Sequence, residues 1–269
     1  MKQQILFLGD FMKKLYSLYK TYIYPVEFNK CAALSYYSIL ALIPGLSILF
    51  LFVRFFNVSS YEIQTFLSSI LPLESVKPIV NFVIHQSQTS IFTTIIISIS
   101  SLYIISQGGY IFIKYINSMF SFEEQSYLQL RVRAFFVSLF LIFALALLLI
   151  SLMLILPKIA TNLSVFVYYL LLFILYVAIH FIVIFLLYKF CLLKNVKLKY
   201  LWKGLLFFST TASILYFLFS PFIQTFANNY ASYGPLAGFA SILIFFYVYF
   251  VLLLISINIS LFEYQKMIK

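Results

Sequence analysis

Charged side chains are scarce in this chain of 269 residues. Asp, Glu, Lys and Arg together make up 9% of it, whereas soluble domains carry about a quarter of their residues as charged ones. A soluble fold needs enough charged surface to cover its core, and this composition cannot supply it. Because 64% of the residues are hydrophobic, we expect the chain to expose its apolar surface to lipid.

Cysteine and histidine are nearly absent as well. The two cysteines, Cys31 and Cys191, form no CxxC pair, and the two histidines, His85 and His180, lie far apart in the sequence. These spacings assemble no zinc or iron–sulfur ligand set, so we expect neither a metal nor another cofactor. We also expect no disulfide, because both cysteines fall near the predicted cytoplasmic face, where thiols stay reduced.

The motifs of common enzyme classes are missing too. The sequence has no GxSxG elbow, no HExxH pair and no glycine-rich phosphate loop. Its paired carboxylates, Glu123 and Glu124, fall on a predicted cytoplasmic loop near Arg131 and Arg133, whose charge they offset. No predicted span carries Asp or Glu at its centre, which argues against a carrier that couples to protons or sodium through an acidic residue. We therefore expect no enzyme and assign no catalytic residue.

Long charge-free windows are what the sequence has in abundance. A helix needs about 20 apolar residues to cross a hydrocarbon core of roughly 30 Å, and the windows accommodate six such helices. The window Gly204–Phe262 is long enough for two, divided by turn signals at Asn228-Asn229 and Gly234-Pro235. We therefore predict an all-α polytopic membrane helix bundle with spans at about 32–56, 91–113, 134–157, 164–188, 204–224 and 236–262.

Amphipathic stretches precede and separate these spans. In residues 1–30, apolar positions recur at helical spacing, with Lys13, Lys14 and Lys20 outside the stripe. This pattern predicts a cytoplasmic interfacial helix, followed by a membrane domain over 31–269. Between spans one and two, two short runs of the same period, separated near Pro72, predict short amphipathic helices on the outer side. Shielding of the span ends and gating of a substrate are both compatible with them.

The basic residues decide the orientation. With both termini in the cytoplasm, all Lys and Arg residues except Arg54, Lys77 and Lys158 fall on the cytoplasmic side, as the positive-inside rule requires. Their position beside apolar spans argues against nucleic-acid binding, which gathers basic residues on one polar face. We instead expect membrane lipids as partners. The predicted rim for anionic lipid head groups consists of Arg131, Arg133, Lys194, Lys197, Lys199 and Lys203.

Uncharged polar groups inside the spans are the candidates for function, because such groups are costly in hydrocarbon. Pro44 is predicted to kink span one, which helix packing explains as well as a binding site does. His180 lies at predicted membrane depth, where a hydrogen bond to a neighbouring helix is a commoner role than a proton relay. The small residues of span two favour close helix packing. The candidate polar pathway consists of Ser35, Tyr36, Tyr37, Gln107, His180, Gln224 and Asn258.

Motifs at both ends of the chain resemble those of a known family. The run Cys31–Pro44 (CAALSYYSILALIP) is similar to the first-span signature of the YihY/BrkB family of bacterial inner-membrane proteins. The run Tyr233–Gly238 (YGPLAG) is similar to the family's last-span entry, and the resemblance covers essentially the whole chain. One departure concerns the last span, where Ser256-Ile257-Asn258 stands in place of the common Gly-Ala-Glu. No carboxylate role can therefore be carried over.

The resemblance implies an inner-membrane (plasma-membrane) protein associated with virulence or the cell envelope, and suspected transport of a lipid or small molecule. The ribonuclease label that has travelled with the family finds no support among these residues. We therefore expect a transporter-like protein that moves or accommodates a lipid or amphipathic envelope molecule along polar surface between spans. The alternative is a non-transporting structural or assembly partner in the cell envelope. A homo-oligomer is compatible with both.

Overall fold

The structure is a computed structural model that describes residues 12–14, 16–40, 61, 91–123, 126–140, 164–229 and 235–268. Within these residues every regular element is a helix, and no strand occurs. An N-terminal segment, residues 16–23, ends in a π-helical turn at Tyr19–Ile23. The main helices are α1 over residues 28–40, α2 (Ile91–Met119), α3 over residues 127–140, α4 (Val165–Cys191), α5 (Leu198–Asn229) and α6 (Pro235–Ile268).

Three described helical segments are long and apolar enough to cross a membrane, namely Phe166–Cys191, Leu198–Phe219 and Ala240–Lys266. Their mean hydropathies are 3.0, 1.3 and 2.6. They overlap predicted spans four, five and six, and α2 is one unbroken helix over predicted span two. The second parts of spans one and three lie outside the described residues, as do Pro44 and the short helices predicted between spans one and two.

The surface of α4 exposes large apolar side chains. Phe166 is 77% exposed, and Ile174 and Ile182 are 54% and 56% exposed. A run of exposed large apolar side chains marks contact with another apolar phase. Along a helix of this length and hydropathy, the hydrocarbon of a membrane is that phase.

One end of every main helix contributes residues to the buried core. We call this region the core end. It includes the N-terminal parts of α1, α3 and α5 and the C-terminal parts of α2, α4 and α6. Neighbouring helices therefore run in opposite directions, as in an up-and-down bundle. Buried residues of the core end include Cys31, Leu34, Ile113, Ile116, Ala134, Leu187, Tyr188, Leu205, Phe208, Leu254 and Ile257.

Small residues allow α5 and α6 to pack closely. A methyl group added to Gly204 would overlap the hydroxyl oxygen of Ser260 and the carbonyl oxygen of Ser256. The Ser260 hydroxyl donates to the Ser256 carbonyl oxygen at 3.0 Å and lies 3.3 Å from the carbonyl oxygen of Leu201 on the facing helix. The Tyr188 hydroxyl of α4 lies 2.8 Å from the Ser256 hydroxyl. Close backbone approach and hydroxyl contacts thus join α4, α5 and α6, as is usual between membrane helices.

Asn117 joins the end of α2 to the end of α4. Its Nδ2 donates to the carbonyl oxygens of Ile113 at 2.7 Å and Cys191 at 2.8 Å, and its Oδ1 accepts from the Leu193 amide at 2.8 Å. The last carbonyl groups of a helix have no intrahelical partner. The buried Asn117 side chain therefore satisfies the C-terminus of α4 and fixes where the chain turns toward α5.

The N-terminal segment packs against α6. The Asn258 Nδ2 donates to the Tyr22 carbonyl oxygen at 3.0 Å, and the Tyr22 ring meets the Phe262 ring edge to face at 5.6 Å. Tyr16 and Tyr19 on the same segment are exposed. Only one side of the segment is therefore covered by protein. That it lies on a membrane surface stays a prediction.

Candidate functional site

A groove of about 870 Å³ opens between α3 and the C-terminal part of α4. We call it the α3–α4 groove. Three polar side chains line it, namely Gln129, Arg133 and Lys189. Its apolar walls are formed by Leu128, Val132, Phe136, Val137, Phe140 and Phe190.

The two cations of the groove have no described carboxylate as a partner. Arg133 is half-buried, and its Nη1 is fully buried without a hydrogen-bond partner among the described residues. Lys189 is exposed in the last turn of α4. An ion pair among the described residues lies elsewhere, between Lys203 and Glu263. A buried N–H group of a cation is costly without an acceptor, and Arg133 and Lys189 bring two positive charges to the wall of the groove.

Arg131 has different surroundings, although it precedes Arg133 by two residues. Its Nε donates to the Tyr127 hydroxyl oxygen at 3.0 Å. Its Cζ lies 5.1 Å from the ring centre of Tyr103 and 5.3 Å from that of Tyr110. These cation–π contacts hold the guanidinium between α2 and α3. Arg131 therefore joins two helices, while Arg133 faces the groove.

A second, smaller space lies among α1, α2, α3, α4 and α6. This inner cavity has a volume of about 150 Å³ and is lined almost wholly by apolar groups. Tyr37, Phe112 and Leu253 are among its walls. Gly108 and Gly109 lie beside it, and a methyl group at Gly108 would be 3.3 Å from the Tyr37 Cβ. The inner cavity therefore lies beside two glycines at which α2 approaches its neighbouring helices closely.

Val137 of α3 lines both the α3–α4 groove and the inner cavity. It is 3% exposed, so its side chain is held within the bundle. A single valine therefore lines both the groove on the outside of α3 and the inner cavity.

The three adjacent pathway residues of α1 face different surroundings. Ser35 is buried, and its hydroxyl donates to the Cys31 carbonyl oxygen at 2.7 Å. Tyr36 is 56% exposed on the outside of the bundle. Tyr37 lines the inner cavity. Successive residues of a helix point about 100° apart, so of these three only Tyr37 reaches the cavity.

The other pathway residues are also dispersed. His180 donates from Nδ1 to the Tyr176 carbonyl oxygen at 2.8 Å, and its ring centre lies 6.4 Å from those of Phe208 and Tyr249. It is therefore packed among aromatic side chains of α5 and α6. Asn258 holds the N-terminal segment. Gln107 is half-buried beside Gly108, a wall of the inner cavity. The side chain of Gln224 lies outside the described residues.

The residues of the predicted basic rim also have separate environments. The Nζ atom of Lys194 lies 5.5 Å from the ring centre of Phe122, and the Nζ atom of Lys199 lies 4.8 Å from that of Tyr200. Lys203 forms its ion pair with Glu263 at 3.0 Å. Lys197 is exposed. All four belong to the core end, together with Arg131 and Arg133.

Sequence reasoning did not identify Lys189 or Val137 as site residues. Lys189 directly follows the apolar run of predicted span four, and Arg133 directly precedes span three. The sequence therefore already indicated that both cations lie at the same membrane depth. An apolar Val137 within an apolar span carried no signal at all. Among the described residues, no three His, Cys, Asp or Glu side chains are grouped so as to hold a metal ion.

Comparison with known families shows a match over most of the chain. The sequence model of a family described as Virulence factor BrkB matches residues 28–268. No curated protein and no solved structure matches the chain. The matched range includes every residue of the α3–α4 groove and of the inner cavity.

Proposed function

The chain belongs to the virulence factor BrkB family, and we propose that this membrane protein binds and translocates a lipid or other amphipathic molecule of the cell envelope. One observation carries the proposal: the α3–α4 groove combines apolar walls with two cations that lack a described carboxylate partner, and it shares Val137 with an apolar inner cavity. Binding sites of this kind use apolar walls for burial and a few polar groups for orientation.

The groove suits a molecule with two unlike ends. A charged or polar head binds at Arg133 and Lys189, while an apolar chain packs against walls such as Phe136 and Phe140. A small hydrophilic solute would gain nothing from the aromatic walls. A wholly apolar molecule would leave the two cations unsatisfied. An amphipathic ligand satisfies both parts of the surface.

Val137 is the proposed point of passage between the groove and the bundle interior. Rotation of one buried side chain is a small change compared with separation of two helices, and it would connect the groove to the inner cavity. An apolar chain that enters from the groove would then reach surfaces of α1, α2 and α6. We propose that translocation begins at this connection.

We place the protein in the bacterial inner membrane, with six spans and both termini in the cytoplasm. The basic residues of the core end support this orientation, because positively charged segments stay in the cytoplasm. Exposed Tyr16 and Tyr19 support an interfacial role for residues 1–30. In this arrangement Arg133 and Lys189 face the inner leaflet, and the protein acts without catalytic residues or a cofactor.

Translocation can be tested in liposomes that contain the purified protein. Fluorescent phospholipids, glycolipids and isoprenoid lipids are placed in both leaflets in turn, and a membrane-impermeant quencher is added outside. The proposal predicts that the protected inner-leaflet signal of at least one lipid is lost faster than in empty vesicles. Rates equal to those of empty vesicles across the whole panel would contradict it.

Variants at Val137 make this test specific. Val137→Ala enlarges the connection between the two spaces and should accelerate translocation, whereas Val137→Trp should slow it. The same two substitutions at Val167, which is 38% exposed near the start of α4, serve as matched controls and should have little effect. Equal responses at both positions would show that the passage does not run past Val137.

A structural or assembly role is the second candidate. The close packing of Gly204 against Ser260 and the small volume of the inner cavity favour a rigid bundle. The exposed apolar face of α4, including Phe166 and Ile174, would then contact another membrane protein or a second copy. Photo-cross-linking from these two positions in native membranes should recover a stoichiometric partner if this role holds.

A further inference from the structure

We propose that the α3–α4 groove selects an anionic lipid that carries a phosphate group, and that the phosphate binds between Arg133 and Lys189. The inference rests on the proposed function, to which it adds the class of head group. Both cations line the same groove, and none of the lining side chains is a carboxylate. The described lining therefore has two positive charges and no negative charge of its own.

Arg133 supplies the geometry for a phosphate. A guanidinium presents its N–H donors in a rigid fork that matches the oxygens of phosphate, whereas Lys acts as a point charge. The Arg133 Nη1 is buried and has no partner among the described residues, so this donor is unused within the described part of the chain, and the Arg133 side chain must turn toward the groove to present it to a ligand. Its burial also strengthens the attraction to an anion, because the local dielectric constant is low.

Arg131 also has a buried Nη1 without a partner among the described residues, but it does not line the groove. The Arg131 guanidinium is enclosed by the rings of Tyr103, Tyr110 and Tyr127. A ligand would have to displace these contacts. Arg133 requires no such displacement, since it already lines the groove.

The depth of the two cations indicates a lipid rather than free phosphate. Arg133 directly precedes predicted span three, and Lys189 directly follows predicted span four. Both therefore lie at the expected level of lipid head groups, beside apolar walls that continue toward the hydrocarbon. The positive pair also disfavours a zwitterionic head group, whose cationic end would meet like charges. Phosphatidic acid is the simplest lipid with the required chemistry.

Equilibrium binding of fluorescent phosphatidic acid to the full-length protein in detergent tests the inference. Unlabelled phosphatidic acid, diacylglycerol, phosphatidylcholine and inorganic phosphate serve as competitors. We expect phosphatidic acid to compete far better than the other three. The double variant Arg133→Gln and Lys189→Gln should weaken binding about tenfold or more, as expected for lost charge-assisted hydrogen bonds.

A second double variant is the matched control. Lys13→Gln and Lys14→Gln remove the same charge from exposed positions outside both the groove lining and the predicted basic rim and should leave the affinity nearly unchanged. Arg133→Lys keeps the charge but loses the fork, so we expect an intermediate affinity. Size-exclusion profiles establish that each variant is folded, and Arg133→Lys provides the comparison if the double groove variant is not.

Several results would overturn the inference. Equal weakening by the two double variants would indicate general attraction to a basic surface. Competition by diacylglycerol as strong as that by phosphatidic acid would remove the role of phosphate, and equally strong competition by inorganic phosphate would remove the role of the lipid. Unchanged affinity of Arg133→Lys and of the double groove variant would exclude these residues as ligands.

The binding experiment is independent of translocation. If phosphatidic acid binds as expected but no lipid of the panel crosses the liposome membrane, the proposed function fails and the head-group assignment stands. If translocation is observed but phosphatidic acid binding does not depend on Arg133 and Lys189, the assignment fails and the proposed function stands.

Discussion

Gly204 on α5 and Ser260 on α6 lie so close together that a methyl group at residue 204 would overlap the Ser260 hydroxyl oxygen. This contact fixes α5 and α6 as a tightly packed pair. The α3–α4 groove lies on another part of the bundle, where the described side chains leave space. The close α5–α6 contact and the open α3–α4 groove therefore lie in different parts of the core end.

Substitution of Gly204 should weaken the α5–α6 contact. Gly204→Ala is expected to destabilise the folded protein by about 1–3 kcal/mol, because overpacking moves helices apart. Gly108→Ala should cost less, since its nearest neighbouring atom, the Tyr37 Cβ, would lie 3.3 Å away. Thermal unfolding of the detergent-solubilised variants measures the difference. A larger loss for Gly108→Ala would contradict the assigned contact.

Asn117 should be important for stability because it satisfies two backbone groups at the end of α4. Asn117→Leu leaves the Cys191 carbonyl oxygen and the Leu193 amide without this partner, and we expect a loss of about 2–5 kcal/mol. Ser118→Ala is the control, because the Ser118 hydroxyl bonds to Tyr115 within the same helix. Similar unfolding temperatures for both variants would show that Asn117 does not hold the end of α4.

Cys31 should be unreactive in the folded protein. Its side chain is fully buried, and burial raises the pKa of the Cys31 thiol to about 11. Because the pKa is raised, the reactive thiolate becomes abundant only as the pH approaches 11 and is negligible at neutral pH. Cys191 is also fully buried. We expect maleimide-polyethylene glycol to modify neither cysteine at neutral pH until detergent denaturation.

An introduced cysteine provides the control for this labelling. Ser126→Cys lies at an exposed position before α3 and should react in the native protein. Fast native labelling of the unsubstituted protein would contradict the burial of Cys31 and Cys191.

The proposed topology requires the two ends of α4 to lie on opposite sides of the membrane. Treatment of intact cells with an impermeant thiol reagent should label Ser164→Cys at once and Lys197→Cys only after the inner membrane is made permeable. Asn229→Cys, at the C-terminal end of α5, should behave like Ser164→Cys. Labelling of Lys197→Cys and Asn229→Cys from the same side would contradict the assignment of spans four to six.

The sequence determined the helical, lipid-facing character of this protein. Predicted span four, 164–188, overlaps α4 (Val165–Cys191), and predicted spans five and six fall within α5 and α6. These predictions are local, because each long apolar stretch must satisfy its own backbone hydrogen bonds in hydrocarbon. The motifs at both ends of the chain also indicated the family, and the family match over residues 28–268 confirmed this resemblance.

Tertiary structure alone decided which side chains meet. Adjacent Tyr36 and Tyr37 differ in that one is exposed and the other lines the inner cavity, because the rotation of α1 in the bundle sets the direction of each side chain. Arg133 and Lys189 are distant in sequence and share a groove because α3 and α4 lie together. Close contacts between helices set these rotations, and a sequence shows that glycine permits contact but not which surface it meets.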